Sequence, residues 1–550
     1  MRAAIRIGLG LGVVLSLALA SGPSAAWAGP LEEALAARLE RGLGAAETED
    51  QAAALAELGR VYRARGLAPL WVGEGGLGAR GEKLARLLAE ANLDGLDPKD
   101  YGAPAIHALL GSSDTDRLAE LELRLSLGLA LFASDLGQGR TAPHVADPKL
   151  YIFRAKVDPA SVLRSAAEAE DLAALVETYR PQNPRYGRLK RALADYRALA
   201  ERGGWEPIAK GPLLKPGERD PRVPLLRARL ALWGDLEAAA TPVAGDLELY
   251  DEALVKAVER MQWRHGLDTD GVVGPATLRA LNVSAEARVA QIVLNLERRR
   301  WLPDDMGQRF IFVNLADFAL KLVDEPKTLL DMRVVVGKPY HMTPIFSAEM
   351  SYLVINPFWN VPPSIARREI LPKLRKNASY LTENKFKLFS DWSNGAKVVD
   401  PATIDWALAP DKSFPYKVRQ EPGDHNALGR IKFMFPNRFN VYLHDTPAKS
   451  LFKRATRSFS HGCIRVADPV RLAEAILGQN PGWAREKIED TIAKDERRVV
   501  SLARPLPVHI GYLTAYANKD GSVHFRDDVY GRDARLRKAL FGPRGRPTLN

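Results

Sequence analysis

Between Trp301 and Phe310 the chain changes from helical spacing of its apolar residues to short β-rich runs bounded by turn residues. That change most constrains the fold. A helix buries residues at i, i+3, i+4 and i+7, whereas a strand with one buried face alternates apolar and polar. On the N-terminal side, Leu31 to Leu39 and Asp116 to Leu136 carry the helical pattern, broken by Gly and Pro clusters at 73–78 and 137–148. On the C-terminal side, Phe310-Ile311-Phe312-Val313-Asn314 and Met332-Arg333-Val334-Val335-Val336 flank the turn cluster Asp324-Glu325-Pro326-Lys327, which predicts a hairpin. Further strands are expected near Ser351 to Ile355, Ile431 to Phe435 and Asn440 to Leu443. Many short strands with Pro/Gly turns point to a sandwich or barrel-like β domain.

The expected fold class is multidomain α+β, and the boundaries follow from composition. Residues 31–205 read as a helical domain. A Pro/Gly-bearing linker at 210–224 leads into a small all-α module, 215–283, with one helix starting at Leu225 and another over Asp251 to His265. Consecutive turns over Gly266 to Pro275 follow, and Pro275 suits the first turn of a closing helix. The mainly β domain covers 305–500. Within it, 361–420 breaks the strand rhythm with a lysine-rich segment, expected to be a helical insert. Asp468 to Leu477 reads as a helix with an acidic cap and proline in its first turn. Residues 501–550 are expected to form a final hairpin, around Asn518-Lys519-Asp520-Gly521, and a tail. Arg298-Arg299-Arg300 reads as a solvated helix end.

Formal net charge is +11, which favours anionic surroundings. With no zinc finger, basic-zipper heptad or aromatic-lined basic groove, nucleic acid is not an expected partner; the charge suits the surface of a protein working on an anionic polymer. Met1 to Ala28 has the form of a secretory signal peptide: Arg2 and Arg6, an apolar run from Ile7 to Ala20, then Ala26-Trp27-Ala28 as a cleavage site. The expected location is the periplasm. In an oxidising compartment a single unpaired thiol is a liability unless chemistry requires it.

Cys463 is the only cysteine in 550 residues. It lies in Ser460-His461-Gly462-Cys463-Ile464-Arg465, with His444 upstream in Tyr442-Leu443-His444-Asp445. An imidazole near a thiol can draw off its proton, so the string reads as a nucleophile on a glycine turn with a base on a separate strand. Two other readings are a small buried hydrophobe and a zinc site drawn from Cys463, His461, His444 and His425. The zinc reading lacks the paired ligand spacing of structural sites.

The spacing of His444 from Cys463 and the string Ser460 to Arg465 resemble the L,D-transpeptidase (YkuD-type) catalytic domain. Asn356-Pro357-Phe358-Trp359-Asn360-Val361-Pro362-Pro363 and Lys432-Phe433-Met434-Phe435-Pro436-Asn437 resemble its large Gram-negative subgroup. The resemblance implies a helical scaffold domain, a peptidoglycan-binding domain at 215–283 and a capping insert at 361–420 that acts as a lid. It also implies Cys463 as nucleophile and His444 as proton carrier. On the glycine turn, the Gly462 and Cys463 N–H groups are candidate oxyanion donors. Ser460 and His461 are expected to support the turn, and Arg465 is a candidate for binding a substrate carboxylate.

The implied reaction forms a 3→3 cross-link between peptidoglycan stem peptides. A tetrapeptide donor loses D-alanine to form a cysteine acyl-enzyme, and an amine on a second stem accepts the acyl group, with no metal or cofactor. Other cell-wall synthesis proteins are possible partners, and carbapenems are expected to acylate the cysteine. The alternatives are a cell-wall cysteine L,D-carboxypeptidase or amidase, and a non-catalytic peptidoglycan-binding protein.

Overall fold

The computed structural model describes residues 29–43, 49–152, 157–237, 245–409 and 414–542. The leader at 1–28 and the last eight residues of the tail lie outside them. The N-terminal domain is built around helix α1 (Thr115–Gln138), whose first turn is capped by the Asp114 carboxylate accepting from the Arg117 N–H at 2.9 Å. Most of α1 is buried, because shorter helices pack around it. At its centre the buried Glu122 carboxylate accepts from the Tyr62 hydroxyl (2.6 Å) and from the N–H groups of Leu70, Trp71 and Val72. Four donors oppose the desolvation of that carboxyl, but burial still raises its pKa.

Helix α2 (Pro184–Glu201) lies against helix α4 (Ala285–Trp301), and both join the core of the β domain through Tyr186, Leu189, Leu193, Ile292 and Leu296. Between them, the small module has its own core around helix α3 (Glu252–Arg264), capped by Asp251. The arginine triplet at the end of α4 corrects the solvated-end reading. Arg298, Arg299 and Arg300 are 6%, 8% and 1% exposed, because α4 is sandwiched between the helical domain and the barrel.

The β domain is a closed barrel. Its strands are β1 (Arg309–Asn314), β2 (Ala319–Asp324), β3 (Lys327–Gly337), β4 (Ser347–Ile355), β5 (Ile431–Met434), β6 (Leu443–His444), β7 (Ser458–Ser460), β8 (Ile464–Val466) and β9 (Arg498–Gly511). The order β3-β8-β6-β5-β4-β9-β1-β2 returns to β3 through the β2–β3 pair, and β7 runs parallel to the end of β3. Closure leaves these eight strands without a free edge along the ring.

Four expectations are corrected here. The turn Asp324 to Lys327 joins β3 to β2, a strand missed between the two expected ones; the chain reverses at Phe318, whose φ is +52°. The strand expected over Asn440 to Leu443 is Leu443–His444 instead, since Asn440 takes φ +53° and ends the extended run.

The insert is not simply helical. After short helical turns over 363–383 it forms a four-stranded antiparallel sheet from Trp359–Asn360, Phe386–Phe389, Val398–Val399 and Lys417–Gln420, with its own core. Its first and last strands pair, so it leaves and rejoins the barrel at one point. Finally, residues 498–511 belong to the barrel as β9, between β4 and β1. Pro505 falls where the β9–β4 register shifts, the place in a ladder that tolerates a residue without an N–H. The hairpin is β10 (Ala515–Ala517) with β11 (Val523–Phe525), and a helix not foreseen, α6 (Arg532–Phe541), follows.

Candidate active site

Lys432 on β5 pairs with His444 on β6, which pairs with Arg465 on β8. Residues in register on neighbouring strands share a face, and so do residues two apart on one strand. Five chemically active side chains, Lys432, Tyr442, His444, Cys463 and Arg465, are thereby assembled on one face from three short segments.

Cys463 sits at the end of the β7–β8 turn, partly exposed. Gly462 has φ +119°, a conformation that side-chain-bearing residues rarely adopt. Ser460 ties the turn from within: its hydroxyl donates to the Cys463 carbonyl (2.5 Å) and accepts from the Gly462 N–H (3.0 Å). Thr343 ties it from outside, donating to the Gly462 carbonyl (2.9 Å) while accepting from the Gly337 N–H (3.0 Å). The Gly462 N–H is therefore engaged by Ser460.

The sulfur lies against Tyr442 and 3.8 Å from the Asn440 carbonyl. The backbone N–H and the hydroxyl of Tyr442 favour its thiolate. Burial pushes the thiol pKa up; those two donors, Lys432 and Arg465 pull it down but do not overcome burial. Burial, and then the neighbouring Cys463, push the Tyr442 phenol up, and the Lys432 ammonium lies over its ring at 3.7 Å from the centroid.

His444 is buried, and its Nδ1–H donates to the Asp445 carbonyl at 2.5 Å. A carbonyl can only accept, so this contact favours the tautomer with the proton on Nδ1; the Leu428 backbone also accepts from the ring. Asp445 is itself fixed. Its carboxylate accepts from the Thr446 N–H (2.7 Å), the Arg430 N–H (2.8 Å) and Lys449 Nζ (2.5 Å). Burial, and then the Arg465 and Lys432 charges on either side, pull the His444 pKa down to about 3. The resting pair is thus neutral thiol and neutral imidazole.

That shift gives a stability prediction. An unfolded histidine titrates near ~6.5, so between pH 6.5 and 3 the unfolded chain binds a proton that folded His444 refuses. Stability contributed by neutral His444 is present above pH 6.5 and lost as pH falls through that window. Urea melts at pH 7 and pH 4.5 should show a larger loss for wild type than for His444→Gln. Equal losses would place the imidazole in a solvated, unshifted setting.

His461 Nε2 lies 2.7 Å from the Glu369 carboxylate on the insert. Its ring also lies 5.0 Å from that of His341. Arg465 carries a buried Nε without a partner, and its charge is felt by both Cys463 and Glu369. Among the described residues no three His, Cys, Asp or Glu side chains converge on a metal position. Sequence reasoning missed Lys432, Tyr442, Thr343 and Glu369. Only Tyr442 carried a local signal, being two residues before His444 and so on its face.

Residues 308–500 match the family described as "L,D-transpeptidase catalytic domain", 219–281 the "Putative peptidoglycan binding domain" and 56–193 the "Scaffold domain". A "Putative L,D-transpeptidase" of Haemophilus influenzae is 35% identical over 257 residues, 46% of this chain and 51% of that protein. The chain thus spans about half the length of this curated relative.

Solved structures with similarity include an L,D-transpeptidase from Mycobacterium smegmatis (12% identity, 37% of this chain and 58% of that one, TM-score 0.18). Another is the L,D-transpeptidase of Stackebrandtia nassauensis (13% identity, 56% and 96%, TM-score 0.21). Residues 308–500 thus carry an L,D-transpeptidase catalytic domain, with a scaffold domain and a peptidoglycan-binding domain ahead of it.

Proposed function

We propose that this chain forms 3→3 cross-links between peptidoglycan stems, working outside the cytoplasm through a Cys463 acyl-enzyme. The observation that carries the reading is the single thiol on a positive-φ glycine turn, beside Tyr442 and on the same barrel face as His444. Among the described residues no helix is long and apolar enough to cross a membrane.

In the first half-reaction Cys463 Sγ attacks the carbonyl of the third stem residue, and its proton passes to His444 Nε2. Because the resting pair is neutral, charge develops only as the sulfur attacks. Tyr442, Lys432 and Arg465 then stabilise negative charge in a site of low dielectric. The oxyanion falls to the Cys463 N–H, since the Gly462 N–H is turned to Ser460. Collapse breaks the peptide bond, His444 returns the proton to the departing D-alanine amine, and a thioester remains. In the second half an acceptor amine attacks the thioester, gives its proton to His444, and Cys463 leaves and is reprotonated. Arg465, with an unpaired Nε two residues beyond the nucleophile, is suited to the free carboxylate of the third residue's side chain.

Glu369 places the insert over the turn, so residues 361–420 act as a lid hinged where Trp359–Asn360 meets Lys417–Gln420. Replacing 361–420 by a short linker should cut turnover of stem peptides by on the order of 10²-fold, as loss of substrate positioning does. Alkylation of Cys463 by a small reagent should change less than ~3-fold. Equal loss in both assays would make the insert a structural brace.

Isolated tetrapeptide muropeptides test the reaction itself. A 3→3 dimer with free D-alanine is the expected product. A shortened monomer alone would mean water is the acceptor, and no change would overturn the enzymatic reading.

A further inference from the structure

Arg299 is the unmatched member of the buried arginine triplet. Arg298 reaches Asp533 Oδ1 at 2.5 Å and Thr514 Oγ1 at 3.2 Å. Arg300 reaches Glu297 Oε2 at 3.0 Å and the Tyr186 hydroxyl at 2.9 Å. Arg299 makes no side-chain hydrogen bond or ion pair among the described residues, and its Nε is buried without a partner. Burial and the nearby Arg185 and Arg188 charges pull its pKa down to about 9. A buried, unpaired guanidinium among like charges is costly, and among the described residues no carboxylate pairs with it.

The side chain lines a cavity of about 360 Å³ between α2, the end of α4, strands β1 and β2, and the β10–β11 hairpin. Neither Cys463 nor His444 touches it. One wall is apolar, formed by Met306, Phe310, Phe312, Val323 and Leu513. The lining also holds Arg185, Arg188 and Arg299, with the Arg185 guanidinium over the Phe310 ring. Arg185 pairs with Glu325 at 2.9 Å, whereas Arg188 only donates to the Ala517 carbonyl, at 3.3 Å. The acids that line the cavity are already engaged: Asp317 by Arg526 and the Tyr516 hydroxyl, Asp520 by Ser522. Two guanidinium groups therefore face the space without a carboxylate. The volume falls in the ordinary range for small-ligand sites.

We propose that this cavity binds a single-chain anionic amphiphile, its carboxylate or phosphate head held by Arg299 and Arg188 and its hydrocarbon laid on Phe310, Phe312 and Met306. Charge complementarity fixes the head, because the planar guanidinium fork matches carboxylate and phosphate oxygens. The apolar wall fixes the tail, since a small hydrophilic anion would leave it in contact with water. The site lies where the helical domain meets the barrel, so an occupant would tie the two together.

The test is calorimetric titration of the chain from residue 29 onward with dodecanoate and dodecyl phosphate below micelle formation. Dodecanol and inorganic phosphate serve as controls. Saturable one-to-one binding of both amphiphilic anions is expected, at least ~10-fold tighter than dodecanol, the worth of one charge-assisted contact. Arg299→Met should weaken the anions by ~10-fold or more while leaving the melting temperature of the empty protein unchanged or higher, because an uncompensated buried charge is removed. Arg188→Met and Phe312→Ala should each weaken binding as well, and they carry the test if Arg299→Met does not fold.

Sedimentation with phosphatidylglycerol vesicles separates the sources. Co-sedimentation lost in the arginine variants means a head group taken from a bilayer; binding of the free anions without it means a free amphiphile. Dodecanol bound as tightly as the anions, binding undiminished in these variants, or no binding at all would overturn the proposal.

Discussion

Replacing Cys463 with alanine should abolish D-alanine release and dimer formation, by on the order of 10⁴-fold or more, as when the group forming a covalent intermediate is removed. The fold should survive, because the side chain is small and the turn is held by Ser460 and Thr343 rather than by the sulfur. The same thiol gives an independent readout. A carbapenem carries a strained ring carbonyl; sulfur attack opens the ring and loses nothing, so the intact mass should rise by one whole drug molecule per chain. The adduct should map to the peptide containing Ser460 to Arg465 and be absent from Cys463→Ala. Residual turnover in the variant above a small fraction of wild type would show that another group is the nucleophile. An unmodified wild-type mass after prolonged exposure to excess drug, in folded protein, would show that Cys463 is not activated.

Replacing His444 with alanine should slow acylation by at least ~10²-fold, the low end for loss of a general base. The fall should exceed that for Ser460→Ala, whose hydroxyl only ties the turn. The electrostatics sharpen the expectation. Burial pushes the Cys463 thiol up and pulls His444 down to about 3, so at neutral pH no preformed thiolate–imidazolium pair exists. The thiol then depends on transfer to Nε2 during attack, and His444→Ala should recover rate as pH rises toward the thiol's own ionisation. Wild type should be nearly flat over the same range. Adduct formation with the carbapenem, followed by mass at several pH values, reads both profiles. If His461→Ala stops the reaction and His444→Ala does not, the proton carrier is the histidine that contacts Glu369.

Local sequence determined the architecture in outline. Helical spacing before Trp301, β-rich runs after Phe310 and the proline and cap signals at Pro275 and Asp468 are properties of neighbouring residues, and the structure has those elements. The Cys463 motif was legible for the same reason, since Ser460, Gly462 and Cys463 make one turn within four residues. What lies across strands was not legible. Lys432, Tyr442 and Arg465 come beside Cys463 and His444 only because β5, β6 and β8 pair in one register, and register is set by barrel closure rather than by any segment.

The insert's sheet and the membership of β9 in the barrel were decided in the same way, by pairing partners far away in sequence. The arginine triplet shows the limit most plainly. Its sequence carries three equal charges at a helix end, but only packing of α4 between two domains buries all three. Packing supplies acids to Arg298 and Arg300 and leaves Arg299 facing an apolar cavity. Composition cannot distinguish a solvated arginine from a buried one, because the difference is the desolvation and pairing that the tertiary structure imposes.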